Sequence, residues 1–308
     1  MKKFYVVILA IVLSVSLAYG GQTEEYPCQS SARTATPRII GGDKVTSLNE
    51  YPWMVALGDV YSDDPDKLFN QFCGGTLIGD KWVLTASHCI MSKCGGIKDT
   101  ENFYVLIGTL DIKSTNGERI KVKRIIGHPD YDPMLTSSDI ALLELEKSVT
   151  AYTPVQLYRG SDTLAGKQCT VIGWGNTVGY DHPVEVEDPE LLRHVSISVI
   201  SNEQCQQAYN AEGNGGQIDS TMLCAGVEEG GKDSCSGDSG GPLVIQESGV
   251  WKQAGVVSWG DGSQCAEKGL YGVYSRVSKF INFIDENVKN VSIWGKIITS
   301  TAGHEALG

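Results

Sequence analysis

The sequence has few positive charges and no long apolar segment in its main body. Lys and Arg number 25 against 37 Asp and Glu, which gives a formal net charge of −12. Nucleic acids and anionic membranes attract basic surfaces, so this balance argues against both as main partners. The longest apolar run, Phe4 to Leu17, is shorter than the roughly 20 residues that a membrane-spanning helix needs. We therefore predict no nucleic-acid partner and no membrane association.

The same apolar run indicates export. Lys2 and Lys3 precede it, and the small residues Ala18 and Gly20 follow it. A basic start, an apolar run and a small-residue cleavage site are typical of a signal peptide. We therefore expect residues 1–20 to be removed and the protein to be secreted.

Histidine is scarce, with five residues, and the nine cysteines are odd in number. Cysteines pair as disulfides in an oxidising compartment, and an odd count leaves at least one free or bonded to another molecule. Zinc could instead use Cys89, Cys94 and His88, but the sequence lacks a second Cys/His pair at zinc-finger spacing. We predict no metal and no cofactor.

Short apolar segments separated by turn residues dominate the chain. They are rich in Val, Ile, Leu and aromatics and lie at 53–57, 81–87, 103–110, 139–145, 168–174, 194–200 and 253–259. Many short strands with turn signals between them favour an all-β sandwich or barrel.

One amphipathic helix is expected near the C-terminus, where apolar residues recur at helical spacing from Val277 to Val288. A joint between two halves is expected around 147–167. The tail, 290–308, shows no periodicity and is expected to be extended or poorly ordered.

The stretch KDSCSGDSGGPLV, from Lys232 to Val244, contains a candidate nucleophile, Ser239. Most serines in glycine-rich turns do no chemistry, because Gly, Ser and Asp are ordinary turn residues. A serine hydroxyl becomes a nucleophile when a histidine takes its proton and a carboxylate orients that histidine. His88, in LTASHC, and Asp139, in DIALLEL, supply these residue types, although each alone is more often structural.

The segments TASHC, DIALL and GDSGGP occur in this order, with RIIGG upstream. Together they resemble the trypsin/chymotrypsin family of serine proteases, over nearly the whole of 39–289. The resemblance implies an all-β fold of two six-stranded antiparallel β-barrels packed face to face, with a C-terminal helix.

The resemblance also implies catalytic roles. His88 would be the general base, Asp139 its orienting partner and Ser239 the nucleophile. The N–H groups of Gly237 and Ser239 would form the oxyanion hole, which donates hydrogen bonds to the charge of the tetrahedral intermediate.

The sequence GDSGG also fits the G-x-S-x-G elbow of α/β-hydrolases. That arrangement requires a helix directly after the serine, and an acid and then a histidine later in the chain. Only His304 follows Ser239, and Pro242 opens a strand-like segment instead of a helix. We therefore exclude the hydrolase elbow.

The family pattern implies three disulfides, Cys73–Cys89, Cys205–Cys224 and Cys235–Cys265. The usual partner of Cys169 would lie near 244–245, where no cysteine stands. Cys28 could bond to Cys94 or to Cys169 and so tether the segment before the protease domain. The sequence leaves these alternatives open.

The segment RIIGG resembles an activation site cut after Arg38, with residues 21–38 as the propeptide. The new α-amino group of Ile39, with an ordinary pKa near 8, would pair with Asp238. An unpaired buried carboxylate is costly, so cleavage would pull the segment beside Ser239 into place and act as a switch.

The implied substrate pocket has Asp233 at its base, six residues before Ser239. A carboxylate in a narrow slot favours Arg and Lys side chains by charge pairing. The other implied pocket residues are Ser234 beside it, the wall glycines and the strand that binds the substrate backbone: Ser234, Ser258, Trp259, Gly260 and Gly272.

Two further features concern the sodium and calcium sites that some members of the family have. Tyr271 stands where some clotting-type relatives that bind sodium carry Tyr, so a sodium site is an open alternative. In the loop after Gly108 only Asp111 and Glu118 offer carboxylates, whereas calcium takes six or more oxygens, so we expect no calcium.

The predicted function is therefore a secreted, monomeric serine endopeptidase that cuts after Arg or Lys through an acyl-enzyme. Its partners would be protein or peptide substrates and protein inhibitors. The alternative is a protease-fold binding protein without catalysis. Such proteins usually lack one of the three catalytic residues, and all three are present here.

Overall fold

A computed structural model of the chain describes residues 39–60, 69–92, 96–175, 190–213, 216–260 and 265–288. The predicted signal peptide, propeptide and tail lie outside these ranges, as do Cys28, Arg38 and Cys94. Within the described ranges, no helix combines the length and the apolarity needed to cross a membrane.

Short strands make up most of the described chain. In chain order they are β1 (Asp43–Lys44), β2 (Met54–Asp59), β3 (Asn70–Gly79), β4 (Trp82–Thr85), β5 (Phe103–Ile107), β6 (Glu118–Gly127), β7 (Ala141–Leu145), β8 (Gln156–Leu157), β9 (Gln168–Gly173), β10 (Arg193–Ile200), β11 (Met222–Gly226), β12 (Pro242–Glu247), β13 (Val250–Trp259) and β14 (Gly272–Arg276).

The first six long strands form the N-terminal barrel. It is closed in the order β2-β3-β4-β7-β6-β5, and every neighbouring pair is antiparallel. Closure leaves no strand edge exposed, and it points alternate side chains inward. Leu57, Leu77, Leu84, Val105 and Leu142 fill the interior and are essentially inaccessible to solvent.

The C-terminal barrel is a ring of six further strands. Its order is β9-β10-β11-β14-β13-β12, and the pairing of β12 with β9 closes it. The short strand β1 adds to β10, and β8 adds to β13 in parallel, both outside the ring. The predicted pair of six-stranded antiparallel barrels is confirmed.

The C-terminal helix is confirmed as well. A 3-10 turn, Val277–Lys279, leads into a helix over 281–288. Val277, Phe280 and Ile284 are buried against the core, as their helical spacing predicts.

A second helix, α1 (Asn202–Ala211), was not predicted. Its sequence is mostly polar, and only Cys205 and Tyr209 are buried, four residues apart on one face. The Ser201 side chain caps it by accepting a hydrogen bond from the Gln204 N–H. Its stability therefore comes from the cap, the disulfide at Cys205 and the buried tyrosine more than from an apolar stripe.

Among the described residues three disulfides are present, and they join the pairs that the resemblance implied: Cys73–Cys89, Cys205–Cys224 and Cys235–Cys265. Cys169 forms no disulfide; it is buried, and its Sγ lies 3.3 Å from the Ile197 carbonyl oxygen. Burial raises the pKa of the Cys169 thiol to about 12. This structure therefore does not contain the alternative bond between Cys28 and Cys169.

Candidate active site

His88 and Asp139 are positioned by adjacent strands of the N-terminal barrel. His88 begins a 3-10 turn, His88–Ile90, shortly after β4, and Asp139 lies just before β7, which pairs with β4. His88 Nδ1 is 2.7 Å from Asp139 Oδ2, and the His88 backbone N–H donates to Oδ1 at 2.8 Å. An ionised carboxylate only accepts hydrogen bonds, so Nδ1 carries the proton and Nε2 is left as the basic nitrogen.

Asp139 is fully buried, and it also receives a hydrogen bond from the C-terminal barrel. The Ser258 hydroxyl donates to Asp139 Oδ2 at 2.6 Å. Burial by itself would raise the pKa of Asp139, but the interaction with His88 and the hydrogen bonds from His88 and Ser258 outweigh it and lower the pKa. Asp139 is therefore an anion at neutral pH.

The interaction between His88 and Asp139 also changes the pKa of His88. Burial by itself would lower the pKa of His88, but the charge of Asp139 and its hydrogen bond outweigh this effect, so the pKa is raised. The His88 side chain keeps 30% of its surface exposed. It can therefore exchange a proton with a bound molecule.

Ser239 follows a tight turn in which the Asp238 N–H donates to the Cys235 carbonyl at 2.9 Å. Gly237 has a φ of 96°, in the left-handed region where glycine is favoured. Directly after the turn, the Ser239 carbonyl accepts a hydrogen bond of 2.7 Å from the Gly74 N–H of β3. The Ser239 hydroxyl has no hydrogen-bond partner within the part of the chain that the structure describes.

The predicted pocket residues line one cavity of about 240 Å³, and Ser239 lines it too. The members of the predicted set found there are Asp233, Ser234, Ser258, Trp259, Gly260 and Gly272. Cys235 and Cys265 also line it, so their disulfide joins two parts of its wall.

Asp233 is almost fully buried, and its Oδ1 accepts a hydrogen bond of 2.7 Å from the Ser234 N–H. Burial raises its pKa to about 7, against the lowering effect of hydrogen bonds from Ser234 and Ala266. A Cβ on Gly272 would stand 2.7 Å from Asp233 Oδ1, so a larger residue there would force this carboxylate to move. Glu267, which the sequence reasoning missed, lines the same cavity and adds a second acidic group.

Asp238 and Ile39, the predicted activation pair, are both fully buried. The Asp238 carboxylate accepts hydrogen bonds from the N–H groups of Gly175, at 2.6 Å, and Cys235, at 2.9 Å. Burial raises its pKa to about 7 despite these donors. Ile40 pairs with Asp233 through backbone hydrogen bonds of 3.0 and 3.4 Å, so the segment after Arg38 contacts the pocket region.

Three residues at the site bring potential metal-ligand atoms close together. Cys73, His88 and Cys89 place one potential ligand atom each within 4.8 Å of one another. The two sulfurs are joined in a disulfide, so neither is a thiolate that could bind a metal. The disulfide therefore stabilises the chain next to His88, and these three residues do not form a metal centre.

A family model and a known protein both match this chain over most of its length. The sequence model of the family described as Trypsin matches residues 39–284. Trypsin 5G1 of Aedes aegypti is 37% identical over 292 residues, which cover 93% of this chain and 98% of that protein. The matched range spans both barrels and every described residue of the candidate site.

Proposed function

Because the chain belongs to the trypsin family of serine proteases, we propose that it is a secreted endopeptidase that cuts after Arg or Lys. Proteases of this family act on proteins or peptides. One observation carries the proposal: a single cavity joins Ser239 to the buried carboxylate of Asp233. This cavity would hold a cationic side chain of the substrate next to the bond that is cut.

The first step is formation of an acyl-enzyme. Ser239 Oγ bonds to the carbonyl carbon of the substrate while its proton moves to His88 Nε2. The carbonyl electron pair moves to oxygen, and the N–H groups of Gly237 and Ser239 donate to that oxyanion. Asp139 stabilises the imidazolium that forms. When the C–N bond breaks, His88 gives its proton to the leaving amine and an ester remains on Ser239.

The second step is hydrolysis of that ester. A water molecule transfers a proton to His88 and adds its oxygen to the ester carbon. The second tetrahedral intermediate collapses, the Ser239 oxygen leaves, and His88 returns the proton to it. In structures without substrate, nucleophile and base are often not yet hydrogen-bonded, which is consistent with the unpaired Ser239 hydroxyl.

Specificity for Arg and Lys would come from Asp233. A guanidinium or ammonium group in the cavity would supply a positive charge that the described residues do not give this buried carboxylate, and its binding would favour the ionised form. Glu267, an exposed residue of the same lining, would add a weaker attraction.

Activation is proposed to follow cleavage after Arg38, a bond that an Arg-specific enzyme could cut in other copies of itself. The new Ile39 ammonium would pair with Asp238, whose carboxylate has two neutral N–H donors as its hydrogen-bond partners among the described residues. The pair would fix the backbone that carries the Gly237 and Ser239 donors. Signal-peptide removal and secretion belong to the same proposal.

The test is hydrolysis of short chromogenic peptides that end in Arg, Lys, Phe or Ala, before and after cleavage at Arg38. We expect rapid turnover of the Arg and Lys peptides by the cut protein only. Ser239→Ala is the control for contaminating proteases, and Asp233→Ser should remove the preference for Arg and Lys.

Other outcomes are equally informative. Preference for Phe or Ala peptides would contradict the role of Asp233 while leaving the catalytic residues in place. Equal activity of the uncut protein would contradict the activation step. No turnover after confirmed cleavage before Ile39 would favour a binding protein without catalysis.

A further inference from the structure

Strand β3 of the N-terminal barrel makes a second hydrogen bond to the segment that carries the nucleophile. The Gln71 side-chain Nε2 donates to the Gly237 carbonyl oxygen at 2.9 Å, and it lies 3.3 Å from the Cys73 carbonyl. With the bond from the Gly74 N–H to the Ser239 carbonyl, β3 holds this segment on both sides of Asp238.

A β-bulge places Gln71 for this contact. The pairing of β2 with β3 matches Leu57 with Cys73 and Gly58 with Gln71, so Phe72 has no partner across the pair. An extra residue of this kind interrupts the regular alternation of side chains and turns them to new directions. The bulge therefore explains how a strand of one barrel reaches a carbonyl of the other.

The conformation of Gly237 is not defined by its residue type, so contacts from outside the residue help to hold it. It is the third residue of the turn closed between Cys235 and Asp238, and its φ of 96° is the sign that a type II turn requires there. Glycine takes positive and negative φ with similar ease, so the residue itself does not fix the direction of its peptide groups. The N–H of Gly237 is one of the two proposed oxyanion donors.

We propose that Gln71 is a positioning residue for the reaction. Its amide fixes the Gly237 carbonyl relative to the N-terminal barrel, which also carries His88 and Asp139. The oxyanion donor is thereby aligned with the nucleophile and its base across the junction of the two barrels. This inference rests on the proposed function, because it assigns Gln71 a role in that reaction.

The test compares cut wild-type protein with Gln71→Met, which keeps a side chain of similar length and removes the donor. We expect kcat to fall about fivefold to tenfold with KM unchanged, the size expected for one lost neutral hydrogen bond. Gln71→Glu should lose more, because its carboxylate would face a carbonyl oxygen.

Two inhibitors separate positioning from general damage. A peptide boronate forms a tetrahedral adduct with Ser239 and places an oxygen in the oxyanion hole, whereas benzamidine needs only the Asp233 cavity. In Gln71→Met the boronate should bind more weakly by the same factor as kcat, and benzamidine should bind as in wild type. Benzamidine binding also shows that each variant keeps a folded cavity.

The matched control is Gln168→Met, which removes a similar amide hydrogen bond, to the Ser198 hydroxyl at 2.7 Å, away from the site. It should leave kcat and both inhibitors unchanged. Wild-type kcat in Gln71→Met, or equal losses for boronate and benzamidine, would overturn the positioning role alone. A wild-type protein without turnover would instead overturn the proposed function, and this inference with it.

Discussion

Two fully buried aspartates lie on opposite sides of the site, and their acidities are shifted in opposite directions. The pKa of Asp139, at the edge of the N-terminal barrel, is lowered although burial opposes this. The pKa of Asp238, beside Ser239 in the C-terminal barrel, is raised by burial to about 7, and the nearby Asp233 contributes to the increase.

The difference comes from the partners, since the burial is the same. Asp139 has the imidazole of His88 and the hydroxyl of Ser258 in addition to a backbone donor. Asp238 has two backbone N–H donors and no cation among the described residues. Asp139, the proposed partner of the general base, therefore has its hydrogen-bond donors in place within the described residues. Under the proposed activation, Asp238 would gain a positive charge from the Ile39 ammonium.

The largest expected effect is that of Asp139→Asn in the cut protein. An amide cannot stabilise the imidazolium of His88, and it favours the wrong tautomer of the ring, so kcat should fall about 10⁴-fold. Peptide hydrolysis over a range of pH measures this loss, and benzamidine binding is the control for the cavity. A decrease of less than tenfold would mean that Asp139 is only structural.

The next effect, Asp238→Asn, depends on the state of the chain. In the cut protein the amide cannot pair with the Ile39 ammonium, so the oxyanion donors lose their support. The loss of kcat/KM should be about 10²- to 10³-fold, as for removal of an oxyanion donor. In the uncut protein the same change should have little effect on activity. A similar loss in both states would contradict the switch.

Sequence motifs could predict both Asp139 and Asp238, because DIALL and GDSGGP are short continuous segments that contain them. The motif TASHC does the same for His88. The strands with unbroken apolar segments could also be predicted. The polar helix α1 could not, since a cap, a disulfide and one buried tyrosine stabilise it.

Contacts made between the barrels were also beyond sequence reasoning. Ser258 was predicted to lie along the substrate, yet its hydroxyl also bonds to Asp139, 119 residues away in the chain. Gln71 belongs to no motif, and its contact with Gly237 depends on a bulge in β3 that no local pattern indicates. Such contacts depend on how the two barrels meet, which the pattern of either barrel alone does not define.

A smaller effect should appear in the pH dependence of stability of the uncut protein. The raised pKa of Asp238 means that the folded state binds its proton more tightly than the unfolded state. This group therefore destabilises the folded state as pH rises from about 4 to about 7. Asp238→Asn removes that titration, so its free energy of unfolding relative to the parent should increase with pH over this range.

Denaturant unfolding at several pH values measures this trend, with Ser239→Ala as the background to prevent self-digestion. After cleavage the Ile39 ammonium should offset the effect, and the trend should weaken or reverse. If the difference between parent and Asp238→Asn in the uncut protein does not change with pH, the carboxylate already has a cationic partner and the comparison with Asp139 fails.

The smallest expected effect is that of Ser258→Ala. It removes a side-chain hydroxyl that donates to Asp139 Oδ2, but the His88 contacts remain. The pKa of Asp139 should rise slightly, and kcat should fall about twofold to tenfold, the range expected for one hydrogen bond to a charged group with partial compensation. Steady-state kinetics with an Arg peptide measures both kcat and KM. If KM rises while kcat is unchanged, Ser258 acts mainly along the substrate, and Asp139 depends on His88 alone for its low pKa.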